Sequence, residues 1–309
     1  GVLKELLLGG GGSMGILAEG VKIALGEVLA YVCGFYFVLG LLEDTGYLPR
    51  LSVLLDNSLH KIGLHGYGAM PILLGMGCKV PGIAAVRVLE TRRERLIAFA
   101  MTLLLAPCMP QSAMILALLA PYPIYYTLSV FLVLAATGVG AGYILNKVMS
   151  GETQELFVEI PPWQAPRLRS TLMKLWYRAK NYLLEAVPMI LLGIAALDVL
   201  SRTGLLARLA AVFRGPISSL LGLPADTVSV MLLGFLRKDI CIALLEPFQL
   251  EPGQIVTASV FLSLYLPCAS ALAMLLKEAG LGDTLKILML TLLAAFAAGG
   301  ATYLARLVF

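Results

Sequence analysis

Charge is scarce in this chain. Asp, Glu, Lys and Arg make up 14% of its 309 residues, where soluble domains carry about 25%. Catalytic signatures are absent as well. No G-x-x-x-x-G-K-[ST] occurs, and the glycine-rich GGGGSMG near the start lacks the lysine that would hold phosphates, so it reads as a flexible turn. H-E-x-x-H does not occur, G-x-S-x-G is met only inside that glycine-rich stretch (Gly11 to Gly15), and no Ser/His/Asp set stands out. The expectation is a protein that is not an enzyme and holds no permanent cofactor. The two histidines, His60 and His65, fall in a connector and are expected to be surface or capping residues. The five cysteines are odd in number and form no C-x-x-C, which argues against a disulfide framework. A net charge of +4 is unremarkable and suggests no nucleic-acid partner.

What the chain has in abundance is hydrocarbon. Apolar residues reach 59% and the mean hydropathy is +0.89. A helix needs about 20 mostly apolar residues to cross a bilayer. Runs near that length lie at 22–42, 96–120, 124–147, 182–200, 254–276 and 284–305. Two more, 68–86 and 228–245, are interrupted by Gly, Pro or charge. The first run is too long for a signal peptide and lacks a small-residue cleavage site. A multi-pass cell-membrane protein follows, with the lipid bilayer as its first partner. The chain opens on Gly1 rather than Met, which fits a tagged chain or a piece of a longer one.

The sequence repeats itself. GMGCKVPGI from Gly75 matches GFLRKDICI from Gly234, aligning Lys79 with Lys238, and Pro107-Cys108 matches Pro267-Cys268. An amphipathic stretch precedes each interrupted run, at 45–64 and 203–223. Lys and Arg in short loops mark the cytoplasmic face. The loop after the first interrupted run carries Arg87, Arg92, Arg93 and Arg95, whereas its counterpart, 246–253, has neither Lys nor Arg. Equivalent loops on opposite faces mean inverted repeats. The predicted fold is therefore an all-α polytopic membrane protein of two inverted repeats. Each has transmembrane helices, a broken re-entrant segment and an amphipathic connector. The first repeat is 1–147, a cytoplasmic or interfacial linker is 148–181, and the second repeat is 182–309. Within the linker, Leu168, Leu172, Leu175, Trp176 and Ala179 share one helical face. With its basic other face this helix is expected to lie along the membrane surface.

Discontinuous helices in inverted repeats are how many secondary transporters present backbone polar groups to a substrate. Gly75, Gly77, Pro81, Pro107 and Pro267 are the predicted helix breaks. Cys78, Cys108 and Cys268 sit at them, a set of soft ligands suited to transition metals. Met76, Met109 and Gln111 could add neutral ligands. For each cysteine alone, plain packing is the competing reading, and it suffices for Cys33 and Cys241. Ionisable residues inside spans are functional candidates. Lys79, Arg237, Lys238 and Asp239 lie deepest, while Glu43 and Asp44 end the first span, where interfacial solvation fits equally.

The segment 41–96 resembles the membrane domain of the ferrous iron transport protein B family. It carries L-E-D-[ST]-G-Y-x-x-R (Leu42 to Arg50), G-x-G-C (Gly75 to Cys78) and R-x-[IL]-E-x-x-R-[DE]-R (Arg87 to Arg95). Similar segments follow at 106–119, in the Glu-Ile-Pro-Pro linker, at 233–245 and in LYLPCASALAMLLKEAG, so the likeness runs from about residue 15 to the end. It implies Fe(II) uptake, with Cys78, Cys108 and Cys268 on the path and Asp239 as the acidic residue of the second motif. It also implies a GTPase domain or subunit absent from this chain, and a homo-oligomer is an open alternative. Lys79 departs from the Asn or Asp usual after the G-x-G-C cysteine. That leaves two readings of Lys79: loss of its proton when metal binds, or an anionic substrate. The expected function is transport of a divalent transition metal, Fe(II) first, by alternating access between the repeats. The alternatives are a carrier of a small anionic or nucleoside-like solute, and a non-transporting membrane partner.

Overall fold

The computed structural model describes residues 29–149, 168–181, 183–184, 220–224 and 250–308, together with Thr227, Met231, Lys238, Cys241, Leu245 and Phe248. The span at 182–200, most of 203–223 and 228–245, the early glycine-rich stretch, Arg237 and Asp239 lie outside the described residues. The described chain is all-α: helices and turns, with no strand among these residues. The protein is a multi-pass membrane protein. Arg92–Leu119, Ile124–Val148 and Pro252–Arg306 are long and apolar enough to cross a bilayer.

The described residues fall into two compact units. One contains α1 (Leu29–Asp44) and α8 (Leu168–Asn181), which pack on each other. Their contact is polar. Lys174 donates to Asp44 at 2.6 Å, Thr171 donates to Asp44 at 2.7 Å, and Arg178 donates to Glu43 at 2.6 Å. The Arg178 guanidinium lies 5.0 Å from the Tyr36 ring centroid. Of the apolar face of α8 expected from its spacing, Leu168, Leu172 and Trp176 are exposed while Leu175 and Ala179 are half-buried, and Met173 and Tyr177 beside them are exposed as well. Lys174 and Arg178 turn toward α1 while Arg169, Lys180 and the large apolar side chains face outward, an arrangement that suits a helix lying at a membrane surface.

The second unit holds α2 (Tyr47–His60, from Leu48 on), α3 (Ala69–Gly77), α4 (Lys79–Ala85), α5 (Arg92–Leu104), α6 (Met109–Leu119), α7 (Ile124–Val148), α9 (Pro252–Leu264) and α10 (Ala269–Val308). In α10 the chain reverses at Gly280, whose φ of 75° suits glycine. Thr284 donates to the Leu275 carbonyl and Thr291 to that of Tyr265, which only a fold-back permits. Both halves of the sequence build each core. Leu104, Ile115 and Leu134 cluster with Leu221, Phe261 and Leu262. Leu64, Ile83 and Phe99 cluster with Ala271, Leu275 and Ile287.

The interrupted run 68–86 is two short helices joined by a single extended residue, Cys78, at φ −145° and ψ 133°. At 1.5 Å per residue each helix is about 10–14 Å long, far short of a crossing. They fold back tightly: a Cβ on Gly82 would lie 2.7 Å from the backbone N and Cα of Gly75. Pro81 falls in the first turn of α4, where a missing N–H costs nothing. The break itself comes from Cys78 and the glycines.

Element boundaries recur between the halves. Arg92–Leu104 and Pro252–Leu264 are both 13 residues long, and α6 and α10 restart at 109 and 269, the same 160-residue step from 92 to 252. Each broken helix begins on a capped residue. Thr91 accepts from the Glu94 N–H, and Glu251 and Gln254 form a capping box.

Gly82→Val should prevent the α3–α4 closure and lower the thermal midpoint in detergent by an amount matching about 1–3 kcal/mol or more. Gly140→Ala, with nothing within 4 Å of the new Cβ, should not lower it, and the better helix propensity of alanine should raise it slightly. The α1–α8 contact gives a pH-dependent expectation. The hydrogen bonds from Lys174 and then Thr171 hold the Asp44 carboxyl below its ordinary value. Its contribution is therefore complete above the unfolded value of about 3.9 and fades as pH falls through the lowered folded value. Asp44→Asn should cost about 1 kcal/mol at neutral pH, and the deficit should vanish in acid. Trp176 fluorescence in a Trp163→Phe background measures it.

Candidate functional site

Three breaks meet in the second unit. Cys78 separates α3 from α4, Cys108 caps α6 at its start, and Cys268 immediately precedes α10. The three thiols lie within electrostatic range of one another and of Lys79, and Lys238 lies within that range of Cys108 and Cys268. All three cysteines are free and half-buried. Among the described residues no three His, Cys, Asp or Glu side chains converge closely enough to hold one ion. The thiols mark three breaks within one unit and do not form a closed coordination shell among the described residues.

Proline explains the breaks in the two long helices. The carbonyl of Ser263 would be met by the N–H four residues on, but that residue is Pro267. In the first half the matching carbonyl is that of Leu103, four residues before Pro107, and Ala106 lies between the end of α5 and the start of α6. Buried carbonyls without partners are costly, and the lysines meet carbonyls at these breaks. Lys79 Nζ donates to Thr102 O at 2.6 Å and to Ala106 O at 2.5 Å. Lys238 Nζ donates to Ser263 O at 2.9 Å and sits 5.5 Å from the Tyr265 ring centroid. The two lysines matched in the sequence thus each donate to backbone carbonyls at the break of their own half, at positions that are near one another but not equivalent. Placing Lys79 at the first turn of α4 opposes that helix's dipole by about 0.3–1 kcal/mol. Two hydrogen bonds from a charged donor, about 1.5–3 kcal/mol each, outweigh it.

The other expected site residues divide. Gln111 is buried and donates from its amide nitrogen to Ser263 Oγ at 3.1 Å, tying α6 to α9. Met76 and Met109 are exposed beside their cysteines. Gly75 and Gly77 are buried at the end of α3. Glu43 and Asp44 belong to the other unit, in the ion pairs described above. Two buried hydroxyls, Thr102 Oγ1 and Ser259 Oγ, have no hydrogen-bond partner among the described residues. They lie in the two broken helices, and nothing in the sequence marks them.

His65 differs from expectation. It is buried, makes no side-chain cap, and its Nδ1 lies 2.9 Å from Oε1 of the fully buried Glu94. His60 is exposed at the end of α2, as anticipated. Glu94 also accepts from the Thr91 hydroxyl at 2.9 Å. The rest of the 87–95 loop is equally engaged. Arg87 pairs with Glu278 at 2.5 Å, Arg92 is bidentate on Asp283 at 2.7 and 2.9 Å, Arg93 bonds Asn146 and the Met149 carbonyl, and Arg95 bonds the Glu278 carbonyl. The loop is a clasp onto the Gly280 turn. Glu278 and Asp283 went unrecognised because nothing local ties them to a loop so distant in sequence.

The family described as "Nucleoside recognition" (Gate) matches residues 25–122 and 183–282, and the "Ferrous iron transport protein B C terminus" family matches 127–178. Among curated proteins, the Fe(2+) transporter FeoB of Staphylococcus aureus (strain COL) is 25% identical over 299 residues, covering 85% of this chain and 44% of that protein. The Fe(2+) transporter FeoB of Methanocaldococcus jannaschii is 25% identical over 308 residues, covering 86% and 46%. A fusion of Fe(2+) transport protein A and Fe(2+) transporter FeoB from Porphyromonas gingivalis is 30% identical over 189 residues, covering 58% and 22%. The chain thus spans less than half the length of these relatives. No solved structure matches it. With the Gate family covering both halves and the C-terminal family lying between them, the chain belongs to the ferrous iron transport protein B family as a membrane region of it.

Proposed function

We propose that this chain forms the ion path of a divalent transition-metal transporter, with Fe(II) as substrate and Cys78, Cys108 and Cys268 as the ligands met along the way. The observation that carries this reading is the gathering of three free thiols at three helix breaks. Sulfur ligands suit Fe(II) over Mg or Ca. Thiols grouped without a closed shell suit an ion that must leave as readily as it binds. Met76, Met109 and Asp239 are secondary ligands in this scheme.

Alternating access between two inverted halves is the transport mode we infer. The 160-residue recurrence of helix boundaries supports duplication, as does a lysine bonded to a break carbonyl in each half. The excess of arginine in 87–95 over 246–253 supports inversion. The repeats are then 1–147 and 182–309, with 148–181 linking them at the cytoplasmic face. A GTPase, in this polypeptide or as a separate subunit, is the inferred driver. A protein like the Fe(2+) transport protein A fused to the Porphyromonas relative is an inferred partner. The anionic-solute reading loses its main support, because Lys79 and Lys238 are spent on backbone carbonyls.

Anaerobic Fe(II) influx into proteoliposomes tests the proposal. The Cys78/Cys108/Cys268→Ser variant should lose on the order of a hundredfold in influx, since even outer-shell changes at metal sites cost about 10–100-fold. Equal influx by a folded triple variant would remove the cysteines from the path.

A further inference from the structure

The carbonyls that face the proline breaks are hard oxygen ligands. Groups of backbone carbonyls are what bind K+, Na+ and Ca2+ elsewhere. Left open beside three thiols, the oxygens of Thr102, Ala106 and Ser263 would offer such ions a resting place. In this protein each is already bonded to a cation carried by the chain itself. Lys79 is buried, and its ammonium takes two of these oxygens. Lys238 takes the third, and the Tyr265 ring covers its ammonium from another side. Tyr265 is held by its own hydroxyl, which donates to the Met231 carbonyl at 2.8 Å. The next carbonyl of that break, Tyr265 O, accepts from Thr291.

We propose that Lys79 and Lys238 are tethered cations that fill hard-cation sites at the two proline breaks, so that only sulfur is left to receive a passing ion. The lysines act here as specificity-determining residues. They bar alkali and alkaline-earth ions from the breaks by occupying the oxygens those ions would need. The carbonyl sites stand on the geometry alone, whereas the exclusion role rests on the proposed ion path. Removing a lysine side chain should uncover a site for a small monovalent cation. An ammonium ion with N–H donors fits best, because it can remake the lost hydrogen bonds.

The test uses the full chain in detergent and in proteoliposomes. Lys79→Ala should melt several degrees below wild type, and methylammonium chloride should restore most of the loss saturably. Tetramethylammonium, with the same charge and no N–H donor, should not. Lys79→Met fills the space with an uncharged chain of similar length, so methylammonium should not stabilise it. Lys238→Ala breaks one carbonyl bond only and should show the same pattern on a smaller scale, which serves if Lys79→Ala fails to fold. In vesicles, the Lys79→Ala and Lys238→Ala variants should admit Rb+ several-fold faster than wild type. Methylammonium stabilising wild type, Lys79→Met and Lys79→Ala alike, or destabilised alanine variants without rescue, would overturn the cation sites. Rescue without Rb+ entry would overturn the exclusion role. Failure of the iron reading is separately visible as wild-type Fe(II) influx that ignores the cysteines, and it leaves the methylammonium comparison intact.

Discussion

A carbonyl oxygen deprived of its helical partner inside a bilayer must find another donor or cost several kcal/mol. Much of the second unit is arranged around that constraint. Pro107 and Pro267 remove the N–H groups that Leu103 and Ser263 would have used. Lys238 donates to Ser263 itself, Lys79 donates to the carbonyls of Thr102 and Ala106 on either side of the first break, and Thr291 donates to that of Tyr265. The breaks are therefore stable without being closed. A proline alone would kink a helix. Proline with a lysine on the carbonyls of the break keeps a gap open, and in that gap the cysteines stand.

A break of this kind needs its flanking elements held. The α3–α4 hairpin must close to bring Lys79 to the end of α5, and Gly75 and Gly82 allow it because neither backbone has a Cβ in the way. A Cβ on Gly75 would also meet Thr102 Cγ2 at 2.5 Å, so the same glycine sets α3 against the helix whose carbonyl Lys79 reaches. At the start of α5 the arginine loop fastens the first half to the Gly280 turn of the second. Single exposed ion pairs are worth little. Here Arg92 is bidentate on an aspartate that is only 12% exposed, and Glu278 offers both carboxylate and carbonyl to two different arginines. Networks of that form hold better than isolated pairs.

Burial and polarity run opposite to soluble practice in α8. Lys174 and Arg178 face α1, and Leu168, Leu172, Trp176 and Tyr177 face outward. The apolar surroundings of a bilayer explain both choices. Outward hydrocarbon is at no disadvantage there, and charged groups gain by pairing with Glu43 and Asp44 where water is limited. The acidic pair at the end of the first span is accordingly part of how two helices join.

The sequence by itself determined the class of the protein, three of its apolar crossings, the breaks near Cys78, Cys108 and Cys268, and its family. Each of these is written in local composition: hydropathy over a span's length, glycine and proline at the breaks, and contiguous motifs such as Gly75 to Cys78 and Arg87 to Arg95. It also aligned Lys79 with Lys238 through the repeat, but it could not say what either lysine touches. Read locally, an ammonium next to a cysteine suggested proton exchange or an anionic substrate. Only the tertiary structure brought Thr102 and Ala106 to Lys79, Ser263 to Lys238, and Glu278 and Asp283 to the arginine loop. Those partners lie from 23 to 191 residues away along the chain. A residue's neighbours in the sequence set what it is able to donate or accept, and which distant carbonyl or carboxylate it meets is decided by how the helices pack.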